Sequence, residues 1–203
     1  MNLLLAQALA DELRAKDYEV ILTRTDDTFI PLEGRSALAN RYNADLFISI
    51  HCNASLSPKL KGFEVYFLSE TASDPHADAV ARAENAPLAL EGKAVPSQAQ
   101  LQSLLHSLVR NSNINESSVL GALIDRDASK MSGEPSLGVK QAAFYVLRGA
   151  EMPAVLIEAG FLTNRSDEKD LLNPSFRQKL VAGIVHAVEG YDQRKVKERG
   201  GRN

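Results

Sequence analysis

Two strand-length apolar runs in this chain stop on residues that can do chemistry. The first, Leu46-Phe47-Ile48-Ser49-Ile50, runs into His51-Cys52-Asn53. The second, Pro153-Ala154-Val155-Leu156-Ile157, runs into Glu158-Ala159-Gly160. Near-continuous apolar runs of this length are the mark of buried parallel strands. In open α/β sheets, ligands bind just beyond the carboxyl ends of the strands. An imidazole and a carboxylate at two such ends form one candidate active site. A hydrolytic metal site needs nitrogen and oxygen ligands, and a carboxylate that can move a proton between water and a leaving group. His51 fits the first role and Glu158 the second. Glu158 could also cap a helix or pair with Arg148.

Other residues near these ends carry weaker signals. Cys52 is the single cysteine, so no internal disulfide forms, and it reads as a small buried residue rather than a nucleophile. Asn53 can orient the loop or bond a substrate. His76, His106 and His186 read as solvated or packing residues. Arg24 and Arg35 are either ordinary surface charges or partners for acidic substrate groups.

The elements that must position His51 and Glu158 follow an alternating order. Leu5, Leu9 and Leu13 mark an amphipathic helix. Tyr18–Thr23 reads as a strand, residues 31–43 as a helix, and Phe63–Leu68 as a further strand. From Ser69 to Leu137 no strand is evident: Asp74–Asn85 reads as a helix, Leu101 to Leu108 as another, and Val119 to Ile124 as a third. Met131–Gly138 reads as a loop. This helical insertion, about 69–138, is either an embellishment of the core or a lid. Phe144–Leu147 and Ala154–Glu158 read as strands, and Asn173-Pro174 opens a final helix with Phe176, Leu180, Ile184 and Val188 on one stripe. The basic tail from Arg194 to Asn203 is expected to be disordered. Helices alternating with strands predict an α/β fold with a mostly parallel central sheet flanked by helices. At 203 residues, with 44% hydrophobic and 24% charged residues and a net charge of −3, the chain reads as one domain, 1–193. That charge offers no general field for nucleic acid. The apolar runs are too short to span a membrane, and no signal peptide is visible.

The motifs resemble those of the zinc-dependent N-acetylmuramoyl-L-alanine amidases. Thr23-Arg24-Thr25-Asp26-Asp27, Leu32-Glu33-Gly34-Arg35 with Ala39-Asn40, and Asp45 to Ala54 are similar to successive family motifs. Gly62-Phe63-Glu64-Val65-Tyr66 and Pro153 to Asn164 continue in the same order. The resemblance implies hydrolysis of the amide between N-acetylmuramic acid and L-alanine in peptidoglycan, with His51 as a zinc ligand and Glu158 as the catalytic carboxylate. The insertion is similar to the regulatory segment of the Gram-negative amidases that separate daughter cells. That implies a periplasmic enzyme whose zinc is covered by a helix until an activator of the LytM type moves it. Glu70 and Glu84 are the candidates for the blocking glutamate.

The chain departs from the family at its start. The resemblance implies a first strand ending in a Gly-His-Gly motif with one zinc histidine, then a glutamate ligand, before the first helix. Met1-Asn2-Leu3 already lies inside that helix. The expectation is an N-terminally truncated amidase lacking that strand and two of three protein ligands, inactive as written; internal initiation is the simpler account. The alternative is a non-catalytic wall-binding or regulatory module on the same fold. An unrelated α/β metallopeptidase is a third reading.

Overall fold

The computed structural model describes residues 1–90, 92 and 108–200. Helix α1 (Asn2–Arg14) and helix α2 (Leu32–Arg41) precede strand β1 (Phe47–Asn53) and strand β2 (Phe63–Leu68). Helix α3 (Pro75–Asn85) and the short α4 (Pro87–Leu90) follow. A long helix α5 (Leu108–Ser132) leads to strand β3 (Ser136–Ala142) and the short α6 (Tyr145–Arg148). Strand β4 (Ala154–Phe161), α7 (Arg165–Leu172) and α8 (Pro174–Gly200) complete the order. The strands form a four-stranded sheet in the order β1-β4-β2-β3. β1 pairs with β4 and β2 with β3 in parallel, while β2 and β4 run antiparallel. The sheet is thus mixed, with two of its three pairings parallel.

Strand periodicity sorts the sheet into two faces. Ile48, Ile50, Phe63, Val65, Val155 and Ile157 turn toward α1, α5 and α8, where Leu5, Leu9, Leu120, Ile124, Leu180 and Ile184 meet them. Phe47, Tyr66, Leu68, Ala154 and Leu156 turn the other way, toward α2, α3, α4 and α6. Each fully buried aliphatic side chain in these layers contributes about 1.5–3 kcal/mol. β4 lies in the middle of the sheet and is buried along its whole length. Of the residues expected on one stripe of the last helix, Leu180, Ile184 and Val188 are buried in the first layer and Phe176 packs against it half-buried.

Several local expectations are corrected. Tyr18–Thr23 forms no strand and joins no ladder. Tyr18 and Val20 pack on the first core layer, and a cavity of about 1010 Å³ lies between this segment and the outer edge of β1. A strand exists only where a neighbour takes its backbone groups, and none among the described residues reaches that edge. Phe144–Leu147 is not a strand: Phe144 is extended, and Tyr145–Arg148 makes one buried helical turn. Part of the expected loop at 131–138 belongs to β3. Its solvated, polar pattern and Gly138 (φ +89°) hide a strand at the sheet's edge. Arg194–Gly200 is helical rather than disordered, because Arg194 and Lys195 both pair with Glu116 and with Glu198. The helix expected at Leu101–Leu108 falls mostly outside the described residues, as does His106.

The stretch 69–138 is not one appendage. α5 carries Leu120, Ile124 and Ala128 into the main core, all fully buried. It crosses α8 closely: a Cβ added at Gly183 would come within 2.5 Å of the Ala128 Cα. Among the described residues of this stretch, α3 and α4 lie across the other face of the sheet, beside α2 and α6.

Candidate active site

Period-2 alternation puts Ser49, His51, Asn53, Glu64, Tyr66, Lys140 and Glu158 on the sheet face beneath α3. His51 and Glu158 are register partners across β1 and β4. Glu64 is the partner of Glu158 across β2 and β4. Three chemistry-bearing side chains therefore lie abreast on adjacent strands. Beyond His51 the register shifts, so Asn53 stands opposite Phe161. Gly160 there has φ +148°, a conformation that glycine adopts readily.

Glu84, on the last turn of α3, comes down onto this face. Its Oε2 lies 2.5 Å from His51 Nδ1. A carboxylate can only accept, so Nδ1 donates to Glu84, and Nε2 lies 3.0 Å from the Ser49 hydroxyl. His51, Glu84 and Glu158 each offer one ligand atom, and these atoms lie within 4.8 Å of one another. An imidazole nitrogen with two carboxylate oxygens is a donor set that zinc accepts.

Glu158 is fully buried, and neither of its carboxylate oxygens has a hydrogen-bond partner. It caps no helix, and the pairing with Arg148 is not made as a hydrogen bond; the Arg148 guanidinium lies 5.7 Å from the Tyr145 ring centroid. Burial, and then the neighbouring carboxylates of Glu84 and Glu64, push the Glu158 carboxyl well above the usual carboxylate range. A buried polar group without a partner is costly. Such a group, aimed at an imidazole in a polar pocket, suits a cation or a proton-transfer role.

Glu64 stands in contrast. It is also fully buried, but it accepts from Asn53 Nδ2 (3.1 Å), Tyr66 OH (2.9 Å), His76 Nε2 (3.0 and 3.1 Å) and Lys140 Nζ (2.9 Å). Sequence reading left Glu64 and Lys140 unnamed as site residues and placed His76 among the solvated or packing ones. The available signal was the charge of Glu64 inside an otherwise apolar strand.

Asn53 uses its amide within the protein, accepting from the Ala54 N–H at 2.8 Å while donating to Glu64. Glu70 lies past the end of β2, outside the cluster; of the two insertion glutamates, the fold brings only Glu84 to His51. Cys52 packs toward the opposite core layer, and burial with the Glu158 charge pushes its thiol up to about 12. That leaves little thiolate at neutral pH, as its reading as a packing residue requires. Arg24 bonds its own loop through Asp27 and the Asp26 carbonyl, and Arg35 donates to the Ile30 carbonyl. His186 pairs with Asp127 at 2.8 Å on the opposite side of the sheet.

The chain matches the profile of the family Amidase_3, N-acetylmuramoyl-L-alanine amidase, over residues 1–190. It is similar to the N-acetylmuramoyl-L-alanine amidase AmiA of Escherichia coli strain K12, 36% identical over 191 residues, covering 93% of this chain and 66% of that protein. It is 32% identical over 197 residues to the amidase AmiC of Neisseria meningitidis serogroup B, covering 97% of this chain and 47% of AmiC. The chain thus spans about half to two thirds of the length of these relatives. Among solved structures it is similar to the N-acetylmuramoyl-L-alanine amidase from Clostridium difficile 630, with a TM-score of 0.70, 28% identity, and coverage of 94% of this chain and 81% of that one. Sequence and fold agree, and the chain belongs to the N-acetylmuramoyl-L-alanine amidase family.

Proposed function

We propose that this protein hydrolyses the amide between N-acetylmuramoyl and L-alanine in peptidoglycan, using zinc held at His51. The observation that carries the reading is Glu158, a fully buried carboxylate without a hydrogen-bond partner, beside that histidine. A purely structural carboxylate at this depth is expected to have donors, as Glu64 does. A cation at the His51 cluster would answer the orphaned oxygens. A non-catalytic wall-binding module needs no such group.

Zinc, when bound, supplies Lewis acidity toward the scissile carbonyl. His51 contributes an imidazole ligand, and a Glu84 carboxylate oxygen lies within reach of the same ion. Glu158 takes a proton from the attacking water on a carboxylate oxygen and returns it to the L-alanine nitrogen as the amide breaks. The surrounding apolar strands keep bulk water from the carboxylate.

Helix α3 holds the site in a closed form. Glu84 occupies His51, so substrate and Glu84 compete for one place. We read this as autoinhibition, relieved when a LytM-type activator draws α3 aside. This fits cell-wall remodelling and daughter-cell separation in the periplasm. No described helix is long and apolar enough to cross a membrane.

The test is muropeptide turnover by the zinc-loaded protein. Glu84→Gln raises basal turnover without activator. Adding Glu158→Gln to that variant abolishes turnover while zinc stays bound, a loss of about 10²–10⁴-fold for a general acid–base group. Full turnover in the double variant removes Glu158 from the mechanism.

A further inference from the structure

Helix α3 is seated by little apolar surface. Its buried face is Ala77, Val80 and Ala81, with Asn85 at the end. Two alanines and a valine bury few methylene groups, so the apolar seat of this helix is weak. Polar contacts must hold it, and they sit at both ends. At the C-terminal end Glu84 reaches His51, and Asn85 donates to the Ala143 carbonyl and accepts from the Tyr145 N–H. At the N-terminal end Asp74 caps the helix through the Ala77 N–H and lies 3.6 Å from Lys140. Beside it, His76 Nε2 donates to both oxygens of Glu64, at 3.0 and 3.1 Å.

The two histidine–glutamate contacts are reciprocal. In one the sheet supplies the histidine and the helix the glutamate; in the other the roles are exchanged. We propose that His76 on Glu64 is a second latch for α3. The helix uncovers His51 and Glu158 only when both contacts part, so His76 sets how often the site opens. The inference rests on the reading of α3 as the cover of the site and adds the residue that governs its release.

Glu64 makes the latch reversible. When His76 leaves, Lys140, Tyr66 and Asn53 still donate to the carboxylate, and all three belong to strands of the sheet. Opening therefore strands no buried charge, which would cost far more than a single hydrogen bond. His76 is also the partly exposed member of the pair, its side chain 31% accessible against 0% for Glu64. A partner protein can reach it without opening the core.

Hydrogen–deuterium exchange across α3 tests this, on the full chain with and without zinc. His76→Ala is expected to raise exchange of the α3 amides about tenfold, the effect of losing roughly 1.4 kcal/mol of a charge-assisted bond. Alanine is a better helix former than histidine, so faster exchange cannot come from helix propensity. His76→Gln, whose amide can still donate to Glu64, should restore slow exchange. Unchanged α3 exchange in His76→Ala overturns the latch. So does a rise spread equally over β2 and β4, which would make His76 a core residue. Turnover separates the two ideas. If Glu84→Gln raises turnover and His76→Ala changes neither turnover nor exchange, the cover stands and the latch falls. If His76→Ala loosens α3 but neither variant raises turnover, the latch stands and the cover reading falls.

Discussion

Glu64 and Glu158 lie opposite each other across the antiparallel β2–β4 pair, both fully buried, and one has four donor residues while the other has none. Burial and the neighbouring carboxylates hold the Glu158 carboxyl well above the usual carboxylate range. Glu64 is satisfied by its donors, and Glu158 is left without any. A residue kept for chemistry at the expense of its own satisfaction should weaken the fold that carries it. Glu158→Leu, which replaces the orphaned carboxyl with an apolar group, is expected to raise the stability of the metal-free chain by about 1–3 kcal/mol. Urea unfolding at neutral pH measures it. A lower midpoint would mean that Glu158 has partners in the folded protein.

Glu84 should matter to metal as well as to substrate. If its carboxylate serves the same ion as His51, Glu84→Gln lowers zinc affinity about tenfold or more, since affinity follows the number of charged ligands in place. Competition with a chromophoric chelator gives the number. Equal affinity in the variant would show that Glu84 touches His51 without sharing the ion.

A second buried carboxyl pair lies away from the active site. Glu134 and Asp167 are both buried, and each has one oxygen without a partner. Burial, and then the charges of Asp167 and Asp170, push the Glu134 carboxyl up from 4.5 to about 7. The folded state therefore binds a proton that the unfolded chain releases between these values. The contribution is complete below pH 4.5 and is lost as the pH rises through about 7. Stability should fall across that window, and Glu134→Gln should flatten the fall. Melting curves at several pH values decide; a wild-type profile that rises from pH 5 to 7 with no change in the variant would contradict the assignment.

The boundary of the movable part is also testable. α5 belongs to the core, so Ile124→Ala should cost about 2–5 kcal/mol, as large-to-small changes at full burial do. Gly183→Ala should cost about 1–3 kcal/mol, because its methyl group would meet the backbone of Ala128 and the Asp127 carbonyl at 2.5–2.8 Å. Chemical denaturation checks both. Small effects would return α5 to the lid. For the same reason a deletion from Asp74 to Asp127 would remove Leu120 and Ile124 and unfold the protein rather than open it.

What the chain alone determined lies in its strong, local patterns. The apolar runs before His51 and Glu158 marked two buried strands, but the strands continue to Asn53 and Phe161, so both residues stand within the ladder rather than beyond its end. The i+4 stripe of Leu180, Ile184 and Val188 marked the last helix, and Asp74 with Pro75 marked the start of α3, where Asp74 caps Ala77. Burial demands these patterns within a few residues, so they are legible there. Tertiary structure decided what depends on partners far along the chain. Tyr18–Thr23 has strand composition, but no strand among the described residues pairs with it. β3 has weak composition and becomes a strand because β2 accepts it as an edge. The tail is helical because Glu116, more than seventy residues earlier, collects its charges. The choice of Glu84 over Glu70 came from the same source. Only the seating of α3 across the sheet brings one of two similar glutamates to the histidine.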